Sequence, residues 1–210
     1  MNNKNKWLLI ILLIFYSIGI AGLLNEGTQA FFISLTPFNL ILTLIAYVWA
    51  NGDYRFHFFL IGLIIFICGW TIEWGGVHTG ILFGEYKYGY PLGYQLQDVP
   101  IIIGVNWFIL SLASRTVMQF VFSNVWLISV TSAISMCLLD LLIEPVAVKF
   151  GFWQWNNNVI PLQNYFMWFL SSLMMQLILQ KSDVRLNNKA GTIVFLIQVL
   201  FFGIFFLFLK

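Results

Sequence analysis

Three acidic residues stand inside apolar stretches of this 210-residue sequence, where a carboxyl group is costly to bury. They are Glu73, Asp140 and Glu144. A carboxyl in an apolar pocket stays protonated more readily and can act as an acid, whereas a neighbouring carboxylate can activate water as a general base. We therefore predict that these three residues are catalytic. The alternative is that each lies at a helix end and reaches interfacial water.

Aromatic residues make up 19% of the chain, and nine of them are tryptophans. Rings near membrane helix ends usually form the interfacial belt, but five tryptophans stand beside the carboxyls and glycines. These are Trp74, Trp107, Trp153, Trp155 and Trp168. An aromatic face stabilises a nearby cation by roughly 0.5–2 kcal/mol, so a proton donor beside such rings suits the protonation of an alkene. His78 follows Glu73 closely and is predicted either to orient a carboxyl or substrate or to make an ordinary loop hydrogen bond.

The composition places these residues in a membrane protein. Hydrophobic residues make up 60% of the chain and charged residues 9%, whereas soluble domains carry roughly 25% charged residues. Several apolar runs approach or exceed the ~18 residues that cross a hydrocarbon core. The predicted spans are Trp7–Leu24, Phe31–Ala50, Phe56–Trp74, Val99–Ala113, Val121–Glu144, Leu162–Leu179 and Ala190–Leu209. An extension of the fourth past Arg115 toward Phe122 is left open, and Pro145 is predicted to end the fifth helix.

The expected fold is all-α, a polytopic membrane helix bundle of about seven transmembrane helices that forms one transmembrane domain over residues 1–210. Cytoplasmic loops collect Lys and Arg, and seven basic residues fall on the side of the N-terminus against three on the other. We therefore predict a multi-pass protein of the inner (cytoplasmic) membrane with a cytoplasmic N-terminus. The seven are Lys4, Lys6, Arg55, Arg115, Lys181, Arg185 and Lys189; the three are Lys87, Lys149 and Lys210.

Other classes of function receive little support from the sequence. The net charge of +2 and the lack of a basic patch argue against a nucleic-acid partner. Cys68 and Cys137 lie inside apolar runs without the spacing of metal ligands. The chain has no dinucleotide fingerprint, P-loop or nucleophile elbow, and its two histidines are too few for a membrane di-iron enzyme. We expect neither a cofactor nor a metal.

Two stretches of the chain share one pattern, which indicates an internal repeat. The pattern is acid-x9-Phe-Gly-x-aromatic-x-aromatic, a loop, then aliphatic-Pro-x6-Trp-Phe, and it starts at Glu73 and again at Asp140. Each copy is predicted to be a helical hairpin with the same topology, in repeat units of about 57–113 and 121–180. Sites tend to form between parallel repeats, so Glu73 and Asp140 should approach each other. Glu144, one helical turn beyond Asp140, should lie on the same helix face.

The motifs around both acids resemble the carotenoid 1,2-hydratase family, the membrane carotenoid biosynthesis proteins that include gamma-carotene and bisanhydrobacterioruberin hydratases. The first block is EWGGVHTG at positions 73–80 with FGEYKY at 83–88. The second is DLLIEP at 140–145, GFWQW at 151–155 and PLQNYFMW at 161–168. The likeness covers most of residues 10–179. Where the family has Gly-Val-Pro and a Gly before the last Trp, this chain has Val159-Ile160-Pro161 and Met167-Trp168.

The resemblance implies a hydro-lyase that adds water across the terminal C=C bond of an acyclic carotenoid end, without a cofactor. Glu73 or Asp140 would protonate the alkene, and a remaining carboxylate would activate the water that captures the tertiary cation. The expected partners are gamma-carotene, lycopene or a similar carotenoid, water and the lipid bilayer. The residues expected to bind substrate are Trp74, His78, Tyr86, Tyr88, Asn106, Trp107, Trp153, Trp155, Asn164 and Trp168.

Two other functions remain open at this point. A membrane carotenoid (lycopene-type) cyclase forms a related cation and captures it with an internal alkene rather than with water. A lipid or proton-coupled transporter also uses paired intramembrane acids and repeats, but it yields no product alcohol. The sequence does not separate the first of these from a hydratase, because both need the same proton donor and aromatic wall.

Overall fold

A computed structural model describes residues 2–208, and the chain is predominantly helical, in agreement with the all-α class predicted from its apolar runs. Met1, Lys210 and Leu209, the predicted end of the last span, lie outside the described residues. The eight α-helices of the described part are α1 (Asn3–Leu24), α2 (Gln29–Ser34), α3 (Thr36–Asn51), α4 (Phe56–Thr79), α5 (Ile102–Val121), α6 (Val125–Lys149), α7 (Leu162–Lys181) and α8 (Asn188–Phe208).

Four helices in the described part of the chain are long and apolar enough to cross a membrane. They are α1, α4, α6 and α8. Helices α5 and α7 are each 20 residues long, but they carry more polar side chains, and α3 has 16 residues. The prediction of about seven transmembrane helices is therefore confirmed for four of them, and the remaining three stay a prediction.

The predicted second span, Phe31–Ala50, is wrong as one continuous helix, because the chain turns at Leu35 between α2 and α3. Pro37 explains the break. Proline lacks an N–H, and its ring would meet the carbonyl of Ile33, four residues earlier, in an unbroken helix. In the structure Pro37 instead occupies the first turn of α3, where no intrahelical partner for an N–H is needed.

The prediction that Pro145 ends the fifth span is also wrong, because α6 continues to Lys149 with the proline inside it. The residues on both sides of the proline are buried, among them Ile143, Val146 and Ala147. Helix α6 packs there against α7 and α8. The packing of this buried segment outweighs the single hydrogen bond that proline removes, as is common for prolines in membrane helices.

Two short antiparallel sheets cover one end of the helix bundle, which the sequence analysis did not foresee. Strand β1 (Tyr86–Tyr88) follows α4 and pairs with β4 (Trp153–Trp155), which follows α6. Strand β2 (Gln95–Leu96) pairs with β3 (Val99–Pro100). The fourth predicted span accordingly begins later than expected, at Ile102, and continues past Arg115 to Val121. Pairing between β1 and β4 ties the α4–α5 connection to the α6–α7 connection.

A polar cluster closes the opposite end of the bundle. The Arg55 guanidinium donates to both carboxylate oxygens of Asp53, at 2.8 Å each, and to Asp183 Oδ2 at 2.9 Å. The backbone N–H of Arg185 also donates to Asp53. Nearby, the side-chain amides of Asn187 and Asn5 join the starts of α8 and α1. Asp53 is almost fully buried, and its hydrogen bonds to Arg55 hold its pKa well below the usual range.

Replacing Asp53 with asparagine is expected to lower the free energy of unfolding by about 2 kcal/mol at pH 7, because the buried carboxylate that pairs with the Arg55 guanidinium is lost. A depressed carboxyl pKa stabilises the folded state above the unfolded pKa of about 4 and loses that contribution as the pH falls further. Wild-type protein should therefore lose more stability between pH 5 and pH 2 than Asp53→Asn does. Thermal unfolding in detergent micelles measures both effects. Asp183→Asn is the control, since that carboxylate is exposed and its removal should change the stability little. Equal losses of stability in both variants would contradict a special role for the buried Asp53 carboxylate.

Candidate active site

Glu73 lies near the end of α4 and is buried. Its Oε2 atom accepts hydrogen bonds from the hydroxyls of Tyr86 at 2.6 Å and Tyr88 at 2.8 Å. Its Oε1 atom accepts from the indole Nε1 of Trp107 at 3.1 Å. The two tyrosines come from β1 and the tryptophan from α5, so two separate segments converge on this one carboxyl of α4.

Glu144 receives a similar set of partners from the second half of the chain. Its Oε2 atom accepts from the indole Nε1 atoms of Trp153 at 3.0 Å and Trp155 at 2.8 Å. Its Oε1 atom accepts from the side-chain amide of Asn164 at 3.0 Å. Strand β4 thus supplies to Glu144 what β1 supplies to Glu73, namely two aromatic side chains that donate to one carboxyl oxygen.

Asp140 is placed one helical turn before Glu144 and is fully buried. Its Oδ2 atom accepts from the same Asn164 amide at 3.0 Å, which confirms that Asp140 and Glu144 share a helix face. Its Oδ1 atom has no hydrogen-bond partner among residues 2–208. Asp140 therefore shares the Asn164 amide with Glu144 but does not line the space that Glu73 and Glu144 enclose.

Pairing between β1 and β4 holds the two carboxyl groups on either side of one small space. In this register Tyr86 faces Trp155 and Tyr88 faces Trp153. The ring centroids lie 5.0 Å apart in the first pair and 6.1 Å apart in the second. Because each ring also donates to a carboxyl, the sheet sets the separation of Glu73 from Glu144.

Trp107 and Trp168 form a stacked pair under this space. Their ring centroids are 4.4 Å apart and their planes differ by 19°. Trp107 is on α5 and Trp168 on α7, and both are buried. Their π-faces and the tyrosine and tryptophan rings of the two strands give the site an aromatic wall of the kind that stabilises positive charge.

The cavity between Glu73 and Glu144 has a volume of about 30 Å³. A buried water needs roughly 10–15 Å³ of such space and two or more polar partners, so the cavity suits a water molecule between two carboxyl groups. Eight of the ten residues predicted to bind substrate line it: Tyr86, Tyr88, Asn106, Trp107, Trp153, Trp155, Asn164 and Trp168. A long apolar substrate must widen the cavity in order to enter.

The hydroxyl groups of Tyr86 and Tyr88 remain protonated in this setting. Desolvation, reinforced by the nearby Glu73 carboxyl, raises the pKa of both tyrosines well above the usual value of 10.0. Both side chains therefore keep a hydroxyl that donates one hydrogen bond and can accept others. The indole N–H groups that contact Glu144, by contrast, can only donate.

Comparison with known proteins assigns the chain to a family. A family model described as carotenoid biosynthesis protein matches residues 34–209. The chain belongs to the carotenoid biosynthesis protein family. The matched range contains the three buried carboxyls and the whole lining of the cavity, so the site described above lies within the family match.

One curated relative is bisanhydrobacterioruberin hydratase of Haloarcula japonica, which is 33% identical to this chain over 162 residues. The alignment covers 71% of this chain and 54% of the relative. The chain thus spans about half the length of the curated relative it matches. No solved structure matches the chain.

Trp74 and His78, which were predicted to bind substrate, do not line the cavity. Both are exposed, and His78 Nδ1 lies 2.9 Å from the carbonyl oxygen of Trp74 within α4. The two rings pack on each other with centroids 4.9 Å apart. Successive helical residues point about 100° apart, so Trp74 turns away when Glu73 faces inward. His78, four residues after Trp74, shares its outward face.

Two glycines that the sequence analysis missed let the aromatic partners reach Glu73. A Cβ atom on Gly69 would lie 2.5 Å from Cγ of Trp107, and one on Gly76 would lie 2.9 Å from the hydroxyl of Tyr86. Their spacing could have identified them, because residues four before and three after Glu73 share its helix face. Phe83, Ile103 and Ile143 also line the cavity without having been predicted.

Replacing Gly69 with alanine is expected to lower activity between about tenfold and a hundredfold, since the added methyl group displaces Trp107 from Glu73. The yield of modified carotenoid in pigment-producing cells, at matched protein level, measures the effect. Gly203→Ala is the matched control, because a Cβ at Gly203 meets no atom within 4 Å. If Gly69→Ala folded and kept full activity, the position of Trp107 would not matter for the reaction.

Proposed function

We propose that this protein is a carotenoid hydratase, which adds water across the terminal C=C bond of an acyclic carotenoid end group. The observation that carries the proposal is the water-sized cavity between the buried carboxyls Glu73 and Glu144, above the Trp107–Trp168 stack. Family membership supports a carotenoid substrate, and similarity to the Haloarcula japonica hydratase, about half of which the chain covers, supports hydration. The proposal uses no cofactor.

Glu73 is the proton donor in the proposed mechanism. Its tyrosine partners can both donate and accept hydrogen bonds, so the Tyr86 and Tyr88 hydroxyls can accommodate either protonation state of the carboxyl. Glu73 delivers its proton to the hydrogen-bearing carbon of the terminal double bond. The π electrons form the new C–H bond, and the dimethyl carbon becomes a tertiary cation.

The Trp107–Trp168 pair shields this cation. Each aromatic face near a desolvated cation contributes roughly 0.5–2 kcal/mol. The stack is buried and lines the cavity, so water reaches the cation from the side of the carboxyl groups. This arrangement favours reaction of the cation with the one water molecule held in the cavity over access of bulk water to the cation.

Glu144 is the general base in the proposed mechanism. Its contacts with Trp153, Trp155 and Asn164 are all made by N–H donors, which suit a carboxylate acceptor. As the water oxygen bonds to the cation, Glu144 takes one of its protons and the product is a tertiary alcohol. Transfer of that proton to Glu73 restores the starting state, so the net change is addition of one water molecule.

Asp140 has a positioning role in this proposal rather than the role of acid that the sequence also allowed. Its carboxyl holds the Asn164 amide, which in turn holds Glu144. Asp140 therefore fixes the direction of Asn164 without contacting the substrate.

We also propose that the two halves of the protein are related by a pseudo-two-fold axis along the membrane normal, with repeat units of about 57–113 and 121–180. The antiparallel register of β1 with β4, centred on Lys87 and Gln154, and the stack of Trp107 on Trp168 support this relation. The chain would cross the inner membrane seven times from a cytoplasmic N-terminus. The polar cluster around Asp53 would then face the cytoplasm, and the carboxyl cavity the opposite side.

Pigment analysis tests the proposed function. The gene is expressed in cells that produce lycopene or gamma-carotene, and carotenoids are extracted and analysed by mass spectrometry. A hydratase increases the mass of the pigment by one water molecule and adds a tertiary hydroxyl group. A product of unchanged mass with a ring would identify a cyclase instead. Unmodified pigment together with proton-coupled lipid flux would identify a transporter.

A further inference from the structure

A second, larger cavity lies between α1, α2, α3 and α8, beside Phe150 and Phe152. This groove has a volume of about 420 Å³, and none of its lining residues lines the carboxyl cavity. Its walls are mostly phenylalanine and aliphatic side chains, including Phe15, Phe32, Phe201 and Phe202. Phe15 and its lining neighbours Ile18 and Phe38 are exposed on the outer surface of the bundle, so the groove is open to the surrounding lipid.

A chain of four polar side chains crosses this apolar groove. Gln198 Nε2 donates to the Tyr16 hydroxyl at 2.8 Å. That hydroxyl lies 3.1 Å from Thr43 Oγ1, which donates to Asn39 Oδ1 at 3.3 Å. Because Tyr16 accepts from Gln198, its own proton points to Thr43, and the whole chain runs in one direction. Gln198, Tyr16 and Thr43 are buried.

The two ends of this hydrogen-bond chain are open. Within the described part of the protein, Gln198 Oε1 and Asn39 Nδ2 have no hydrogen-bond partner, and both residues line the groove. One end is therefore an acceptor and the other a donor. An unpaired polar group away from water costs about 1–3 kcal/mol, which favours a ligand that can satisfy both.

The chemistry of the groove selects a neutral ligand. No described residue that lines it is charged, so a phosphate or carboxylate headgroup would be buried without a counter-charge, at a large cost. A hydroxyl group can donate to Gln198 Oε1 and can accept from Asn39 Nδ2, so it complements either open end. The apolar walls match a long hydrocarbon chain attached to it.

We propose that this groove binds the hydroxylated end of the carotenoid product, with the hydroxyl group between Asn39 and Gln198. This second site rests on the proposed function for the identity of its ligand. Gln198 is ten residues into α8, about 15 Å along the helix, so a hydroxyl group bound there would sit at half the depth of the hydrocarbon core. The site thereby retains a product whose polar end would otherwise lie unpaired in lipid.

Photolabelling of the full chain in lipid nanodiscs tests this site. The probe is an isoprenoid tertiary alcohol of four isoprene units that carries a diazirine, and its partner is the same molecule with hydrogen in place of the hydroxyl. We expect the alcohol to label the residues that line the groove about fivefold to thirtyfold more than the hydrocarbon, as one or two net hydrogen bonds predict. Gln198→Leu should abolish this preference, and Gln119→Leu on α5 should keep it. Should Gln198→Leu not fold, Asn39→Leu makes the same test at a less buried position.

Equal labelling by the alcohol and the hydrocarbon in wild-type protein would overturn the proposal and indicate a groove for lipid acyl chains. Labelling confined to residues that do not line the groove would overturn it as well. The result is independent of catalysis, because Glu73→Gln should lose hydration activity and still show the preference for the alcohol. Failure of the proposed function and failure of this site are thus read from different measurements.

Discussion

Glu73→Gln is expected to lower the rate of water addition by roughly 10²–10⁴-fold, the usual contribution of a positioned acid. Glutamine keeps an oxygen that can accept from Trp107 and an amide that can donate to Tyr86 or Tyr88, so the fold should survive. It cannot deliver a proton to the alkene. The measurement is the yield of 1-hydroxy carotenoid in lycopene-producing cells, at equal levels of folded membrane protein.

The matched control for this change is Glu85→Gln. Glu85 lies close in sequence but is exposed, and it accepts a hydrogen bond from Asn156 at 2.5 Å on the outside of the site. We expect near wild-type yields from that variant. Undiminished hydroxylated product from Glu73→Gln would rule out Glu73 as the acid and return that role to Asp140.

Glu144→Gln is expected to lower hydration by roughly 10²–10⁴-fold as well, but to leave alkene protonation intact. The cation would still form from the Glu73 proton, fail to capture water, and lose a proton again. In D₂O this cycle exchanges deuterium into the recovered carotenoid. Glu144→Gln should therefore incorporate deuterium without forming alcohol, whereas Glu73→Gln should do neither.

This exchange experiment separates acid from base, which product yield alone does not. It uses purified protein in nanodiscs with carotenoid made beforehand, so that biosynthesis adds no deuterium. Asp140→Asn is the comparison, because Asp140 contacts Asn164 and does not line the cavity. In that variant we expect hydration and deuterium exchange to fall in parallel, each by no more than about tenfold. Full loss of exchange in Glu144→Gln would show that Glu144 takes part in protonation.

Local sequence features predict the class of the protein and the residues to test. Composition and long apolar runs predicted a helical membrane protein, because a helix satisfies its own backbone hydrogen bonds in lipid. Carboxyls inside apolar runs stand out for the same reason, since burial is costly. The i, i+4 spacing also placed Asp140 and Glu144 on one face correctly. These inferences depend on residues that are neighbours along the chain.

Packing between distant segments determines which carboxyls face the cavity. Trp107 is 34 residues from Glu73, and Asn164 is 20 from Glu144, so no local spacing predicts these contacts. The pairing of β1 with β4 selects Glu144 rather than Asp140 as the partner of Glu73 across the cavity. It is a backbone contact between separate loops. The outward turn of Trp74 and His78 likewise depends on how α4 is rotated against α5 and α7.

The difference between local sequence and distant packing also explains why the two prolines have different effects on their helices. Pro37 breaks its helix and Pro145 does not, although the local rule disfavours both. Burial of α6 on both sides of Pro145 compensates for one lost hydrogen bond. The sequence therefore determined which side chains a helix presents together, whereas packing of distant segments determined which helix face meets which partner. That choice placed Glu73 and Glu144 around a single water-sized cavity.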